Sequence, residues 1–372
     1  MRSIEEIKNI KGMRVLLRVD LNAPIENGVV ADSYRLDAAL QSINFLLQGG
    51  ARVILVSHMS NATGTLLPVY EYLRKKIPLT FVDDVVGDVA KAAVETLSSG
   101  EALLLQNIRS NVGEEKNDPE FARLLASFAS LYVNDAFPVS HRAHASIVGV
   151  PKLLPSYAGF QFLREVAGLT PALTPESPSL AIVGGAKLVT KVALVETLLR
   201  KYDFVFVGGA IANDFFKAKG FEVGTSLIST DDTAGKLLGS TKILLPGTVT
   251  VSGVSGQREV SVKEVGTDES ILDIAPRAIA ALQPILASAH SVLWNGPMGN
   301  FEKGFTAGTD ALAVAIANAS AQSIVGGGDT LSSIQNLGLI NKFTFVSTAG
   351  GAMLDFLAHG TLPGIEALEE SK

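Results

Sequence analysis

The sequence predicts an α/β protein of two doubly wound parallel-sheet lobes joined by a hinge helix, and three observations carry that prediction. The chain has 372 residues, long for one ordinary domain and enough for two, each with its own core. Its apolar residues fall in short runs separated by helix-like segments, the alternation expected of buried parallel strands covered on both faces. Midway, a helix-like piece bounded by prolines divides a half whose strands end in basic residues from a half whose strands end in glycine.

Hydrophobic residues make up 47% of the chain and mean hydropathy is positive. No apolar run approaches the ~20 residues of a membrane span, so no membrane association is expected. The N-terminal MRSIEEIKNIKGM scatters charge and lacks the apolar segment of a signal peptide. The absence of cysteine excludes disulfides, thiolate zinc sites and thiol catalysis, and fits a reducing, cytoplasmic setting. A net charge of −6 argues against nonspecific nucleic-acid binding, so basic residues that cluster need a local purpose.

In the N-terminal half the expected strands are Arg14–Val19, Val53–Val56, Leu79–Val82, Ala102–Leu105 and Leu131–Val133, with helices over Arg35–Leu47 and Phe121–Phe128 between them. The first strand runs into Asp20, Leu21 and Asn22, the second into Ser57 and His58, the fourth into Asn107, Ile108 and Arg109. The fifth runs into Asn134 and Asp135, followed by His141, Arg142 and His144. Ligands of an open parallel sheet bind beyond the carboxyl ends of its strands. Each residue alone is more often a surface residue or a structural cap. Together Arg35, His58, Arg109 and Arg142 form a basic cup for a small anion, because the planar guanidinium fork bonds phosphate and carboxylate bidentately. Asp20 and Asn22 suit substrate hydroxyls. A His/Asp metal site is the competing idea, and the surrounding arginines oppose it by repelling a cation.

From Val150 to Pro178 the chain carries Pro151, Pro155, Pro171, Pro175 and Pro178 around one helix-like piece, Tyr157–Leu169, the pattern of a domain connector. The boundary is therefore expected near Leu169. Beyond it, Leu180–Val183 leads to Gly184-Gly185, Phe204–Val207 to Gly208-Gly209, and Ser291–Leu293 to Trp294-Asn295-Gly296-Pro297. Ser323–Val325 leads to Gly326-Gly327-Gly328-Asp329-Thr330, and Phe343–Val346 to Ser347-Thr348-Ala349-Gly350-Gly351. Glycines at strand ends admit a ligand close to the backbone and form anion nests. Five such ends describe a nucleotide-sized groove. After Gly185, Lys187 and Lys191 are expected one turn apart on one helix face, at the positive end of its dipole. An ordinary turn with two solvated lysines would look the same in isolation. Thr330 is expected to cap the helix after the triple glycine, with Asp329 placed for a phosphate-bound Mg²⁺. A small β excursion is expected between Ile243 and Val262, turning at Gly253 and Gly256.

No GxxxxGKS/T, no GxGxxG with a following acid, no protein-kinase motif set and no GxSxG elbow occurs. Arginines on one lobe, and glycines, lysines and an acid on the other, fit phosphoryl transfer to a small phosphorylated or carboxylated metabolite.

The motifs themselves resemble those of the phosphoglycerate kinase family, in order and over essentially the whole chain. They are RVDLNAP (Arg18–Pro24), Asp32 with Arg35, SHMS (Ser57–Ser60), LLQNIR (Leu104–Arg109), VNDAF and SHRAHAS (Val133–Ser146) and GGAKLVTK (Gly184–Lys191). WNGPMGNFE (Trp294–Glu302), GGGDT (Gly326–Thr330) and STAGGA (Ser347–Ala352) follow. WNGPMG and HRAHAS are highly specific. The resemblance implies Rossmann-like lobes and the reaction 1,3-bisphosphoglycerate + MgADP ⇌ 3-phosphoglycerate + MgATP, in a cytoplasmic monomer whose lobes close over the two ligands. It implies a substrate domain over 1–169, a nucleotide domain over 170–354, and a tail, 355–372, packing back on the first.

By position, Asp20, Asn22, Arg35, His58, Arg109 and Arg142 are implied to bind 3-phosphoglycerate. Lys187, with Arg35, is implied to stabilise the transferring phosphoryl, and Lys191 to hold nucleotide phosphates. Glu302 falls at the ribose, and Gly327, Gly328, Asp329 and Thr330 at phosphate and magnesium. The acceptor carboxylate is already ionised, so no general base is required. The family usually reads His-Leu-Gly-Arg where this chain has His58-Met59-Ser60-Asn61, so Asn61 stands at a substrate arginine's position. Losing such a contact costs ~1.5–3 kcal/mol, or ~10–100-fold in affinity. Further departures are Gln106 for glutamate, Pro138 for glycine, Gly247-Thr248 in a proline-rich loop, and Ala210, Ala275 and Ala349 for glycines. With Arg35, Lys187 and Asp329 intact an active enzyme is expected; the alternative class is a binding or moonlighting protein on the same fold.

Overall fold

The computed structural model describes residues 1–61, 63–230 and 233–371. It is mixed α/β and built on two parallel sheets. The chain divides into two compact units, Met1–Val166 with Thr361–Lys372, and Ala167–Gly360; the sequence places these divisions at 169/170 and 354/355.

The first unit's sheet has six strands: β1 (Arg14–Val19), β2 (Arg52–Val56), β3 (Leu79–Val82), β4 (Ala102–Leu105), β5 (Leu131–Asp135) and β6 (Ser156–Ala158). They lie in the order β3-β4-β2-β1-β5-β6, every neighbour parallel. Central β1 buries Val15, Leu16, Leu17 and Val19 completely, as a strand covered on both faces must. Helix Tyr34–Gln48 sends Leu36, Ile43 and Leu46 into the same core, a spacing that keeps them on one face. It ends at Gly49 and Gly50, the second at φ +76°, where only glycine turns without strain.

The helix expected from Tyr157 begins instead at Phe160. Residues 156–158 are drawn into the ladder as β6, pairing Tyr132 with Ser156 and Val133 with Tyr157. The unpaired edge of β5 thus overrides the local helical pattern. The helix that follows takes a cap from β5, because the Phe162 N–H donates to Asp135 Oδ1 at 3.1 Å. Burial pushes the Asp135 carboxyl up to about 7. Helix Pro363–Glu369 closes the unit, with Ala367 against Ala136, Val139, Ile147 and Val148 and the Gly364 N–H on the Ser140 carbonyl at 2.9 Å.

The second unit holds β7 (Ser179–Val183), β8 (Phe204–Val207), β9 (Ile243–Leu244), β10 (Thr248–Gly253), β11 (Gly256–Ser261), β12 (Ser270–Ile274), β13 (Ser291–Asn295), β14 (Gln322–Gly326) and β15 (Phe345–Ser347). Its main sheet runs β9-β8-β7-β13-β14-β15, again all parallel. Leu180, Ile182, Trp294 and Val325 from these strands form a core with Leu312 and Ile316 of helix Ala307–Ala317. The small β excursion forms an antiparallel sheet, β11-β10-β12, with Val249, Val251, Val260 and Val262 in a core of its own.

Asp135 yields a stability prediction. Its folded pKa lies above the ordinary 3.8, so the native state favours the protonated form. That contribution is fully present below the unfolded value and is lost as pH rises through about 7. Asp135→Asn keeps an oxygen for the Phe162 N–H. The variant is expected to exceed the natural chain in stability by about 2–4 kcal/mol at pH 8 and by little at pH 4. Urea unfolding at the two pH values measures this, and a pH-independent difference would rule it out.

Candidate active site

In the first unit the carboxyl ends of β1, β2, β4 and β5 gather the basic residues. Arg35, from the first turn of its helix, pairs with Asp20 at 3.1 Å and donates to the Asn22 carbonyl at 3.3 Å. Asn22 in turn donates to Ser60 Oγ at 2.8 Å and accepts from the Ser60 N–H at 3.0 Å. This ties the ends of β1 and β2 together. Asn22, Asp32, Arg35 and Ser60 line an open cleft of ≈ 350 Å³. His58 is buried, and its pKa is driven far below the ordinary value by that burial, then by Arg18, Arg109, Arg142 and Arg35. The ring is therefore neutral. His144 is pushed down to about 4 by burial and by Arg109, Arg142 and Arg18. Arg35, Arg109 and Arg142 thus all lie near enough to His58 to act on it electrostatically.

Asn61 spends its side-chain oxygen within its own loop. Its Oδ1 accepts from the Thr63 N–H and hydroxyl at 3.0 and 2.9 Å, a local turn bond typical of asparagine. Its carbonyl is held by Asn107 Nδ2 at 2.9 Å. Three further residues belong to the site yet are not among the candidates read from the sequence. Arg18, fully buried in β1, donates to Ser146 Oγ at 3.0 Å and reaches His58 Nδ1 at 3.3 Å. Glu114, also fully buried, accepts from Ser146 Oγ at 2.7 Å and from its N–H at 2.9 Å. Arg18 looks in sequence like an interruption of an apolar strand, and that interruption was the available signal.

In the second unit the glycine-ended strands interlock. A Cβ on Gly184 would run into the Pro297 carbonyl and lie 2.7 Å from the Gly296 oxygen; one on Gly209 would lie 2.6 Å from the Gly185 N–H. The backbones after β7, β8 and β13 pack without room for side chains. Beside them opens a cavity of ≈ 570 Å³. Apolar Ala210, Phe216, Leu227 and Ile271 line it, as do polar Asn300, Glu302, Lys303 and Asp329. That composition suits a base and sugar carrying phosphates.

Two expectations need correction here. Lys187 and Lys191 do not share a helix face, because the helix begins only at Val192. Gly185 at φ +111° and a tight turn from the Lys191 N–H to the Leu188 carbonyl, 2.7 Å, precede it. Lys187 is exposed. The Lys191 ammonium instead turns inward, donating to the Gly184 carbonyl at 2.7 Å and to Asn295 Oδ1 at 3.1 Å, and burial pulls its pKa down to about 8. Nor does Thr330 cap the helix Gly328–Asn336, whose N-terminal position is Gly327 with no side-chain cap. The Thr330 hydroxyl is buried without a partner among the described residues. Asp329 is exposed in the helix's first turn at the cavity.

Residues 4–360 match the model of the phosphoglycerate kinase family. The chain belongs to the phosphoglycerate kinase family. It is 43% identical over 381 residues to the phosphoglycerate kinase of Pelotomaculum thermopropionicum, covering 97% of each chain. It is 41% identical over 392 residues to that of Methylorubrum populi, covering 99% of this chain and 98% of the other. Among solved structures it is similar to phosphoglycerate kinase from Coxiella burnetii (TM-score 0.85, 36% identity, covering 100% of this chain and 99% of that one). It is likewise similar to that from Pyrococcus horikoshii (TM-score 0.87, 31% identity, covering 99% and 98%). Against the family pattern, Ala210 lines the cavity, whereas Ala275 and Ala349 are buried and outside its lining.

The glycine contacts separate tightly packed positions from open ones within this phosphoglycerate kinase fold. Gly184→Ala is expected to destabilise by about 1–3 kcal/mol through overpacking. At Gly328 an added Cβ meets nothing within 4 Å, so Gly328→Ala is expected to leave Tm unchanged while weakening ADP binding. Thermal melts and ADP titration check both, and equal Tm losses would contradict the distinction.

Proposed function

We propose that the chain transfers a phosphoryl group reversibly between 1,3-bisphosphoglycerate and ADP, as a phosphoglycerate kinase of glycolysis. Family membership over nearly the whole chain makes it a phosphotransferase acting on small phosphorylated substrates. The observation that carries the residue-level reading is the separation of charge by unit. One presents a guanidinium cluster around a neutral histidine, the other a glycine-walled cavity with one acid at a helix start.

In this reading Arg35, Arg109 and Arg142 bind the phosphate and carboxylate of 3-phosphoglycerate, and His58 and Asn22 add hydrogen bonds. Asp20 orients Arg35 through their ion pair and accepts from a substrate hydroxyl. The nucleotide lies in the ≈ 570 Å³ cavity, with Glu302 at the ribose and Gly327, Gly328 and Thr330 at the phosphates. In the ATP-consuming direction a carboxylate oxygen of 3-phosphoglycerate forms the new bond to the terminal phosphorus, and the bond to the ADP oxygen breaks. Arg35 and Lys187 stabilise the negative charge on the transferring group, which is where catalysis of such transfers resides. No proton need be removed, because the acceptor is ionised at neutral pH. Lys191 binds nucleotide phosphate once its ammonium exchanges the Gly184 carbonyl for a phosphate oxygen.

No cluster of three or more metal-ligating side chains occurs among the described residues. A nucleotide-bound Mg²⁺ fits that arrangement, since it commonly takes one or two carboxylates and completes its shell with phosphate and water. Asp329, exposed at the cavity with no partner among the described residues, would hold it, and the ion would supply neutralisation of phosphate charge. A cytoplasmic monomer is our reading of its setting. Zero cysteines and the lack of a helix long and apolar enough to cross a membrane among the described residues support the cytoplasm.

A coupled assay with MgADP and 1,3-bisphosphoglycerate is expected to show turnover, with Lys187→Ala reducing kcat by at least about 100-fold, a loss of ~2.7 kcal/mol or more of transition-state stabilisation. Turnover no greater than that of the variant would overturn the proposal. Asn61→Arg is expected to lower the KM for 3-phosphoglycerate about 10-fold. An unchanged KM would mean that the cup is already compensated.

A further inference from the structure

A buried chain of polar groups runs from Glu114 to His58, and none of its first three members has been given a role. Glu114, Ser146 and Arg18 are each fully buried. Glu114 takes both the Ser146 hydroxyl (2.7 Å) and the Ser146 N–H (2.9 Å). The hydroxyl proton is thereby committed to the carboxylate, which leaves the Ser146 oxygen as an acceptor for Arg18 Nε at 3.0 Å. Tyr132 fixes the same segment through its hydroxyl on the Ser146 carbonyl at 2.6 Å. A second Arg18 nitrogen bonds the Val19 carbonyl at 2.7 Å, and the third lies 3.3 Å from His58 Nδ1. Guanidinium has five donors and no acceptor. His58 Nδ1 must therefore be the unprotonated nitrogen of the neutral ring, and the proton resides on Nε2, which has no partner among the described residues.

We propose that Glu114, Ser146 and Arg18 are positioning residues that lock His58 in its Nε2–H tautomer, so that the ring offers the anionic substrate a neutral donor. The inference rests on the function proposed above. The physical case is one of directionality. Each link donates one way only, from Arg18 to Ser146 and from Ser146 to Glu114, so the buried carboxylate sets the orientation of the guanidinium and through it the ring. The neutral ring also avoids adding a further positive charge to a site already holding Arg35, Arg109 and Arg142, while still contributing a hydrogen bond. The carboxylate offsets Arg18 within the interior, where an uncompensated charge would be costly.

The decisive measurement is ¹⁵N NMR of the histidine rings in the full-length protein, with and without 3-phosphoglycerate. His58 is expected as the Nε2–H tautomer from pH 5.5 to 8, with no titration. An Nδ1–H or protonated ring overturns the proposal even without a variant. Ser146→Ala and Glu114→Gln are then expected to give a mixed tautomer signal and to raise the KM for 3-phosphoglycerate about 5- to 20-fold, with kcat at saturation within 2-fold. A variant that melts like the natural chain and keeps both the single tautomer and the KM would also overturn it. Turnover with the wrong tautomer sinks this inference alone, whereas the right tautomer without turnover sinks the proposed function.

Discussion

A parallel sheet delivers the carboxyl ends of all its strands to one edge, and in each unit that edge has to hold charge in a partly dry place. The two units meet this constraint differently. The first uses side chains: Arg18 is buried within β1, and its guanidinium is acceptable there only because Ser146, the Val19 carbonyl and Glu114 surround it. The second uses backbone: Gly184, Gly209 and Gly296 bring the strand-end loops so close that a Cβ at any of them would collide with a neighbouring main chain, and the Gly184 and Gly185 N–H groups bond the carbonyls of Asn295 and Pro297.

The same contrast explains what the sequence disclosed. Strands such as Ala102–Leu105 and Phe204–Val207 are legible because burial on both faces demands unbroken apolar runs. The glycines are legible because few other residues end so many strands. Tertiary competition is not legible. Tyr157 fits a helical pattern, yet the free edge of β5 takes it as a strand. Lys191 fits a helix face, yet its ammonium finds the Gly184 carbonyl and Asn295 before any helix begins. Asn61 stands at an arginine's position but spends its side chain on Thr63. The basic residues of the cup are read from strand ends, while Glu114 and Ser146, whose partners are remote in sequence, are visible only once the strands are paired.

Lys191 ties these themes together. Burial and two oxygen partners make it a brace between the loops after β7 and β13. A pKa pulled down to about 8 records that the brace compensates its desolvation incompletely.

The cup of the first unit has a comparable consequence. Arg18, Arg35, Arg109 and Arg142 all act on the same histidine, so without a ligand they act on one another as well, and Coulomb repulsion among them is only partly offset by Asp20, Glu114 and Glu115. The anion that enters works first as a counter-ion and only then as a reactant. Occupancy of such a cup answers to the total supply of multivalent anions and to ionic strength, so any anion that binds there competes with the salt of its surroundings.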